Sequence, residues 1–292
     1  MNTNRVILIT GASAGLGLEI ARHLIPLDHY ILVLTARPNS IKRFAEEGIE
    51  ASKKLLLRPL DVTDAQMRAE LINELEEKYG GVDILINNAG FTFRAVVEDV
   101  SEEDRLLQMN TNFRAPMELT RLCLPSMRKK RRGKIINISS VGGQMAMPTM
   151  AVYSASKHAL EGASESLWYE LKPWGINVVL VEPGFINSKG FEKVRTTKLS
   201  EHSFKQSDSA YHQHYINMEG FIERIMKLTP STSASVARKV VKVIKASNPP
   251  LRVSGTFDAV LFKLMKKFIP QRIYHAILYR FLPNVKRWGK HS

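Results

Sequence analysis

Cysteine and long apolar runs are the scarcest features of this chain of 292 residues. The single cysteine, Cys123, excludes a disulfide within the chain, so folding does not depend on an oxidising compartment. No apolar run reaches the roughly 18 residues that a membrane-spanning helix needs. The first apolar run is short and leads straight into glycines, unlike a signal peptide. We therefore expect a cytoplasmic protein, with association to a membrane surface as an open alternative.

Acidic residues are also few, 28 against 42 Lys and Arg, which leaves a formal net charge of +14. Half of that charge lies in residues 257–292, which carry eight basic residues and one acidic residue. A second basic cluster, 128–132, is typical of a solvated turn. No sequence motif of a nucleic-acid-binding fold accompanies either cluster, so we expect no nucleic-acid partner. Three histidines at 202, 212 and 214 lack cysteine or acidic companions, and we expect no metal site.

Short apolar runs alternate with helical patterns through the first 190 residues, which is typical of a parallel sheet covered on both faces. The sequence therefore predicts an α/β fold: a doubly wound, Rossmann-type sheet of seven parallel strands in a single domain, residues 1–256. The predicted strands are Arg5–Thr10, Tyr30–Ala36, Leu55–Leu60, Asp83–Asn87, Lys134–Ser139, Ile176–Glu182 and Leu251–Ser254.

Two segments depart from this alternation. Residues 190–230 are polar with weak periodicity, which predicts a long irregular segment that serves as a lid over the substrate. Residues 257–292 mix large apolar residues with Lys and Arg, which predicts a basic amphipathic C-terminal helical extension. We favour packing of this extension on the body with its basic side in solvent. Peripheral contact with an anionic membrane surface is the alternative.

A glycine-rich turn follows the first predicted strand and opens a helix. Its glycines, Gly11, Gly15 and Gly17, are spaced Gly-x-x-x-Gly-x-Gly and allow a backbone to approach a pyrophosphate closely. The turn also contains Ser13, Ala14 and Leu16. Position and composition together predict a dinucleotide-binding loop.

The end of the second predicted strand reads Thr35-Ala36-Arg37. A carboxylate at this place would bind a ribose 2′-hydroxyl, whereas an arginine accepts a 2′-phosphate. Because the carboxylate is absent and Arg37 is present, with Ser13 near to add a hydrogen bond, we expect NADP(H) as the cofactor.

Tyr153 and Lys157 are four residues apart in a helical pattern and so share one helix face. A cation near the phenol, together with the positive charge of an oxidised nicotinamide, favours the phenolate and is expected to lower the tyrosine pKa, which makes Tyr153 a candidate acid/base. Ser140 follows a predicted strand, where its hydroxyl reaches the edge of the sheet that binds ligands. Ser139 is the rival candidate for this position.

These motifs together resemble the short-chain dehydrogenase/reductase family, in its order and spacing, over about two thirds of the chain. The matching stretches are TGASAGLG (10–17), DVTD (61–64), NNAG (87–90), SSVGG (139–143), YSASK (153–157) and EPGFINS (182–188). The stretch from 140 to 167 is similar to the 17β-hydroxysteroid dehydrogenase and retinol dehydrogenase branch.

The resemblance implies a role for each matching residue. Tyr153 would exchange the proton, Lys157 would bind the nicotinamide ribose, and Ser140 would orient the substrate oxygen. Asn112, or Asn110 if the register differs by a turn, would hold a water in a proton relay. The remaining cofactor contacts would come from Asp61 and Val62 at the adenine, from Asn88, Ala89 and Gly90 under the cofactor, and from Pro183, Gly184, Ile186 and Ser188 beside the nicotinamide. Serine at 188 replaces the family's usual threonine but keeps the hydroxyl.

We therefore expect an NADP(H)-dependent oxidoreductase that interconverts a hydroxyl and a carbonyl on a small hydrophobic substrate, such as a steroid, a retinoid or a fatty acyl compound. Apolar residues expected to line the pocket are Met145, Met147, Met150, Phe191, Phe204, Tyr211, Tyr215, Met218, Phe221 and Met226. The alternatives are a non-catalytic NADP(H)-binding sensor or scaffold, and a membrane-peripheral interaction protein. The resemblance also implies a homodimer or homotetramer formed through helices at 101–128 and 153–172.

Overall fold

Seven parallel strands form one sheet in the computed structural model, which describes residues 4–187 and 195–289. Every predicted strand is confirmed, with ends that differ by at most one residue. The apolar runs place β1, β4 and β5 in the middle of the sheet, where almost every residue is buried. The strands are β1 (Arg5–Ile9), β2 (Tyr30–Ala36), β3 (Leu55–Pro59), β4 (Ile84–Asn87), β5 (Gly133–Ile138), β6 (Ile176–Glu182) and β7 (Arg252–Ser254).

The strand order is β3-β2-β1-β4-β5-β6-β7, so the winding direction reverses between β1 and β4. Ile7 of β1 pairs with Leu32 of β2 on one side and with Ile84 of β4 on the other, all in parallel register. In such open sheets the crevice outside the carboxyl ends at the reversal point is where ligands bind. The predicted doubly wound, Rossmann-type fold is confirmed.

Helices cover both faces of the sheet and bury two large apolar clusters, one against each face. The helix α3 begins and ends as its sequence predicts: the Asp64 side chain accepts a hydrogen bond from the Met67 N–H, and Gly80 ends it with a φ of 74°. The helices are α1 (Gly15–Leu24), α2 (Arg43–Glu46), α3 (Ala65–Tyr79), α4 (Glu102–Met109), α5 (Ala115–Lys130), α6 (Ala151–Leu171), α7 (Lys198–Lys205), α8 (His212–Leu228), α9 (Ser233–Lys245), α10 (Phe257–Phe268) and α11 (Gln271–Phe281).

The helical pattern after Ser101 is interrupted by one π turn, Asn110–Arg114, which separates α4 from α5. Such turns insert one residue into the helix and often occur at functional sites. The sequence pattern did not indicate this interruption, since every residue in it is compatible with an α-helix.

The prediction of an irregular segment at 190–230 is wrong for its described part, which contains α7 and α8. The first of these helices begins with a capping box between Thr197 and Ser200. The second buries Tyr215, Met218 and Ile222, whose spacing is helical. Polar residues between these apolar positions obscured the periodicity in the sequence.

The C-terminal extension packs on the body of the molecule. Tyr274 of α11 is buried in a cluster with Val141 and Met145, against which Phe262 and Met265 of α10 also pack. The extension's lysines and arginines within the described residues are exposed. Among the helices described, none is both long and apolar enough to cross a membrane.

Candidate active site

A cavity of about 600 Å³ opens at the carboxyl ends of β1, β4, β5 and β6. It contains most of the residues that the sequence singled out, although these come from positions 11 to 186. Gly17 and Asn112 are not among the residues that line it, and Ser188 lies outside the described residues. The predicted residues that line it are Gly11, Ser13, Ala14, Gly15, Leu16, Arg37, Asp61, Val62, Asn88, Ala89, Gly90, Ser140, Tyr153, Lys157, Pro183, Gly184 and Ile186.

The glycine turn requires its glycines for two different reasons. Gly11 and Gly15 have φ values of 64° and 56°, in the left-handed region that side chains rarely adopt. Gly17 instead permits close packing, because a Cβ there would lie 2.4 Å from both the Asn88 Nδ2 and the Gly11 carbonyl oxygen. No side chain caps the start of α1 at Ala14, so its first N–H groups face the cavity without a side-chain partner. This arrangement suits a phosphate group.

Arginine side chains surround the end of the cavity next to β2. Arg37 follows β2 and lines the cavity, as the sequence predicts for a 2′-phosphate ligand. Arg195, which the sequence did not indicate, lines the same cavity, and its guanidinium carbon lies 4.2 Å from the centre of the Phe91 ring. Burial lowers the pKa of Arg195, and the charge of Arg37 lowers this pKa further. Nothing in the sequence around Arg195 indicates a site, because only the fold brings it to Arg37.

Ser140 lies beside Tyr153. A Cβ on Gly142 would meet both the Tyr153 ring, at 3.0 Å, and the Ser140 hydroxyl, at 3.4 Å, and the Ser140 side chain acts to lower the Tyr153 pKa. The Ser140 oxygen accepts the Gly142 N–H at 3.0 Å. The rival candidate Ser139 also lines the cavity. The Ser139 hydroxyl would lie 2.9 Å from a Cβ on Gly143, so this hydroxyl is directed toward the backbone of the turn that follows. Proximity to the phenol distinguishes Ser140 from Ser139.

Lys157 is buried one helical turn after Tyr153. Its Nζ donates to the carbonyl of Ile138 at 2.8 Å and lies 5.9 Å from the centre of the Tyr153 ring. Burial lowers the pKa of Lys157 to about 8, while the carboxylate of Glu161 acts in the opposite direction. The ammonium is therefore held at the end of β5, beside the phenol but not bonded to it.

Burial raises the pKa of Tyr153, and the Ser140 side chain opposes this effect only in part. The lowered pKa that the sequence predicts for the phenol beside Lys157 and an oxidised nicotinamide stays a prediction, because the raised value belongs to the chain alone. The physical cause of the raised value is that protein atoms surround the phenol closely, although part of the side chain faces the cavity, while the Lys157 ammonium is directed to the carbonyl of Ile138. A phenol in this environment keeps its proton at neutral pH.

Asn112 lies inside the π turn and is buried. Its Nδ2 donates to the Phe91 carbonyl at 2.9 Å and to the Ser156 hydroxyl at 3.0 Å, and its Oδ1 accepts the Phe91 N–H at 3.1 Å. Asn112 thus ties the segment after β4 to α6. These contacts distinguish Asn112 from the alternative, Asn110.

Apolar side chains form the other end of the cavity. Met145, Met147 and Met150 line it, as expected, together with Phe185 and Ile222. The residues expected from the 190–230 segment do not line it within the described part of the chain. Met218, Phe221 and Met226 pack in a cluster with Ile222. Tyr215 donates its hydroxyl proton to Asp99 at 2.6 Å. Phe204 lies on α7, Tyr211 lies at the start of α8, and Phe191 lies outside the described residues.

The turn after β6 is held by the start of α10. The Thr256 hydroxyl accepts the Gly184 N–H at 2.8 Å, and the Asp258 carboxylate accepts the Phe185 N–H at 2.9 Å. A Cβ on Gly184 would overlap the Asp258 carboxylate, 1.8 Å from its oxygen. The C-terminal extension therefore helps to build the cavity, which its sequence did not indicate.

A doubly wound sheet with a glycine turn at its crevice and a Ser–Tyr–Lys arrangement beside it defines a dinucleotide-dependent oxidoreductase. The family model of the short chain dehydrogenases matches residues 5–199. The chain belongs to the short-chain dehydrogenase family, as its motifs indicated.

Similar proteins match nearly the whole chain. A protein of Bacteroides thetaiotaomicron named 3-ketodihydrosphingosine reductase is 35% identical over 94% of this chain and 98% of its own. A short-chain dehydrogenase from Streptomyces avermitilis has a similar structure, with a TM-score of 0.78 and 28% identity over 94% of this chain and 96% of its own. A variant of the actinorhodin polyketide ketoreductase with NADPH has a TM-score of 0.69 and 29% identity, over 87% and 97% of the two chains.

Proposed function

We propose that this protein uses NADPH to reduce the ketone of a long-chain hydrophobic substrate to a secondary alcohol. The observation that carries the proposal is the Ser140–Tyr153–Lys157 arrangement in a cavity that has arginines at one end and an apolar wall at the other. The first end suits a phosphorylated dinucleotide, and the second suits the substrate.

The residues of the cavity fit NADP(H), which the ketoreductase neighbour also holds. Gly11, Gly15 and the start of α1 would bind the pyrophosphate, and Arg37 the 2′-phosphate. Arg195 would bind a cofactor phosphate from the opposite wall. When bound, the cofactor supplies a hydride to the carbonyl carbon.

Tyr153 would protonate the substrate oxygen as the carbonyl becomes an alkoxide. A tyrosine pKa raised by burial keeps the phenol protonated at neutral pH, as a general acid for reduction requires. Ketone, NADPH and one proton thus yield alcohol and NADP⁺, and the phenol regains its proton from solvent.

Ser140 would orient the carbonyl, because its side chain lines the cavity beside the phenol that must reach the same oxygen. Lys157 would donate to the ribose of the cofactor and present a positive charge to the phenol. Asn112 has one lone pair of its Oδ1 free of the protein contacts described, and this lone pair would accept a hydrogen bond from a relay water.

A long-chain keto lipid is the substrate class we favour among the steroid, retinoid and fatty acyl classes. The match to the Bacteroides relative, whose name gives 3-ketodihydrosphingosine as substrate, covers 94% of this chain and so includes at least part of the C-terminal extension as well as the family domain. Flexible methionines at the cavity wall suit an unbranched chain better than they suit a rigid ring system. The resemblance to the steroid and retinol branch stays a prediction.

The test is reduction of 3-ketodihydrosphingosine by the purified protein with NADPH. A steroid ketone and retinal are assayed separately as the alternative substrates. We expect the long-chain ketone to give the highest kcat/KM, with the alcohol identified by mass spectrometry. Tyr153→Phe should lower kcat by about 10²- to 10⁴-fold without changing the dissociation constant of NADPH.

Two results would reject this proposal. If the wild type binds NADPH but reduces none of the three carbonyl compounds, a binding-only role replaces the enzyme. If the steroid or retinal is preferred, the enzyme stands and the long-chain assignment falls.

A further inference from the structure

The outer side of α10 is an apolar stripe that nothing in residues 4–187 and 195–289 covers. Phe257, Leu261, Leu264 and Phe268 follow one another at intervals of four, three and four residues, so they lie on one helix face. Phe257 and Phe268 are 74% and 71% exposed, and the two leucines 47% each. A continuous row of large exposed apolar side chains is unusual on a soluble surface and indicates an interaction site.

The inner side of the same helix belongs to the candidate active site. Phe262 and Met265 pack against Val141 and Met145, and these two residues line the cavity. At the start of α10, Asp258 accepts the Phe185 N–H. One helix therefore lies between the substrate end of the cavity and the exposed stripe.

Positive charge accompanies the stripe. Lys263 and Lys267 are one helical turn apart and lie, with Val260, along one edge of the stripe. The Nζ of Lys267 lies 5.2 Å from the centre of the Phe268 ring, so charge and apolar surface are adjacent. The only carboxylate of α10, Asp258, points to the Phe185 backbone rather than to these lysines. Glu182 of β6 is the carboxyl on which the charge of Lys263 acts from the other side.

We propose that this stripe docks α10 on an anionic lipid bilayer, next to the place where a long-chain ketone enters the cavity. The inference rests on the proposed function, because a substrate with a long alkyl chain partitions into membranes. Reversible membrane binding requires two signals. The apolar side chains would insert to the level of the acyl boundary, and the lysines would contact the anionic headgroups.

A second copy of this chain fits the stripe less well. An antiparallel two-fold contact through α10 would place Lys263 and Lys267 of both protomers along the same edge, and like charges at an interface repel. An anionic bilayer neutralises the same lysines.

The experiment is flotation of the full-length protein with vesicles of phosphatidylcholine, with or without phosphatidylglycerol. The wild type should float with the anionic vesicles, and Leu264→Asp/Phe268→Asp should reduce its partition coefficient about tenfold or more, because two large apolar side chains no longer leave water. Lys263→Gln/Lys267→Gln should abolish the preference for phosphatidylglycerol. Leu228→Asp is the matched control: Leu228 is 72% exposed at the end of α8, outside the stripe, and its loss should change nothing.

A second readout separates docking from catalysis. Leu264→Asp/Phe268→Asp should keep wild-type NADPH affinity and wild-type turnover of the ketone in detergent micelles, but lose turnover with the ketone in vesicles. Absence of wild-type flotation, or equal flotation of the wild type and this variant, overturns the membrane inference. So does conversion of a wild-type dimer to a monomer by this variant in sedimentation velocity. Failure of the wild type in micelles overturns the proposed function instead, since flotation is measured without substrate.

Discussion

Arg37 and Arg195 face the same cavity from distant parts of the chain. Two guanidinium groups close enough for one to lower the pKa of the other repel each other in the absence of an anion. No carboxylate lies within salt-bridge distance of either arginine in the part of the chain that the structure describes. A phosphate of the cofactor placed between them removes the repulsion, and Phe91 holds the Arg195 guanidinium in place beforehand.

We expect Arg37→Ala to weaken NADPH binding about tenfold or more while NADH binding stays unchanged, because only NADPH has the 2′-phosphate. Arg195→Ala should weaken both cofactors if its partner is the pyrophosphate, and NADPH alone if its partner is the 2′-phosphate. Fluorescence titration of each variant with both cofactors measures this. If Arg195→Ala binds NADPH and NADH as tightly as the wild type does, Arg195 does not belong to the cofactor site. Arg43 also lines the cavity, so Arg43→Ala serves as the comparison variant.

Lys157 and Tyr153 form the titrating pair of the site. The lysine pKa of about 8 makes Lys157 the group that changes charge first as the pH rises, while the Tyr153 pKa lies above its ordinary value. Glu161, on the same helix, is the carboxylate that helps Lys157 to stay charged.

The rate of reduction should therefore depend on pH through Lys157. Its ammonium is present below about pH 8, so kcat/KM should be highest there and should fall as the pH rises through that value. Lys157→Arg keeps its charge and should shift this fall to higher pH, even if the rate is lower overall. A wild-type profile that stays level to pH 10 would contradict the assignment.

Helix boundaries and helix contacts shape the site at the scale of elements. The π turn between α4 and α5 brings Asn112 to Phe91, and α8 provides Ile222 to the apolar wall. On the opposite side of the cavity, α1 packs closely against the loop after β4, and Gly17 makes this approach possible.

Two helix glycines should respond oppositely to alanine. Gly17→Ala places a Cβ 2.4 Å from the Asn88 amide and should lower the free energy of unfolding by about 1–3 kcal/mol, with weaker NADPH binding. Gly162→Ala in α6 meets no atom within 4 Å and should raise this free energy by about 0.5–1 kcal/mol. Urea unfolding of both variants measures the difference, and equal effects would show that packing at Gly17 is not tight.

At the scale of the whole molecule, the C-terminal extension and the sheet form one unit around the cavity. Leaving out residues 257–292 would expose Val141 and Met145 and release Phe185, so the extension cannot be removed as an independent tail. The outer surface of the extension carries exposed apolar and basic residues side by side, which include the stripe of α10 and its lysines.

We expect the protein to be a dimer or tetramer through the helices at 101–128 and 153–172. Leu106 of α4 and Tyr169 of α6 are 55% and 63% exposed, which leaves apolar area for such an interface. Sedimentation velocity should show an oligomer that Leu106→Asp or Tyr169→Asp dissociates, whereas Leu264→Asp/Phe268→Asp leaves it intact. A monomeric wild type at micromolar concentration would reject this expectation.

The sequence by itself determined the sheet and most of the residues that line the cavity at its edge. Continuous apolar runs can be buried only as inner strands, and residues that follow parallel strands must meet at one edge. For this reason the order of residues along the chain is enough to indicate Gly11, Tyr153 and the serine pair Ser139 and Ser140, and it predicts the strand ends to within one residue.

Only the tertiary structure decided what depends on contacts between distant segments. Arg195 is a candidate site residue only because the fold places it near Arg37 and against the Phe91 ring. The raised pKa of Tyr153 comes from burial that no local sequence pattern reveals. The side of α10 that stays exposed was likewise set by packing of its other side on the cavity wall. Local sequence specifies elements and their reactive groups, whereas desolvation and proximity are properties of the packed molecule.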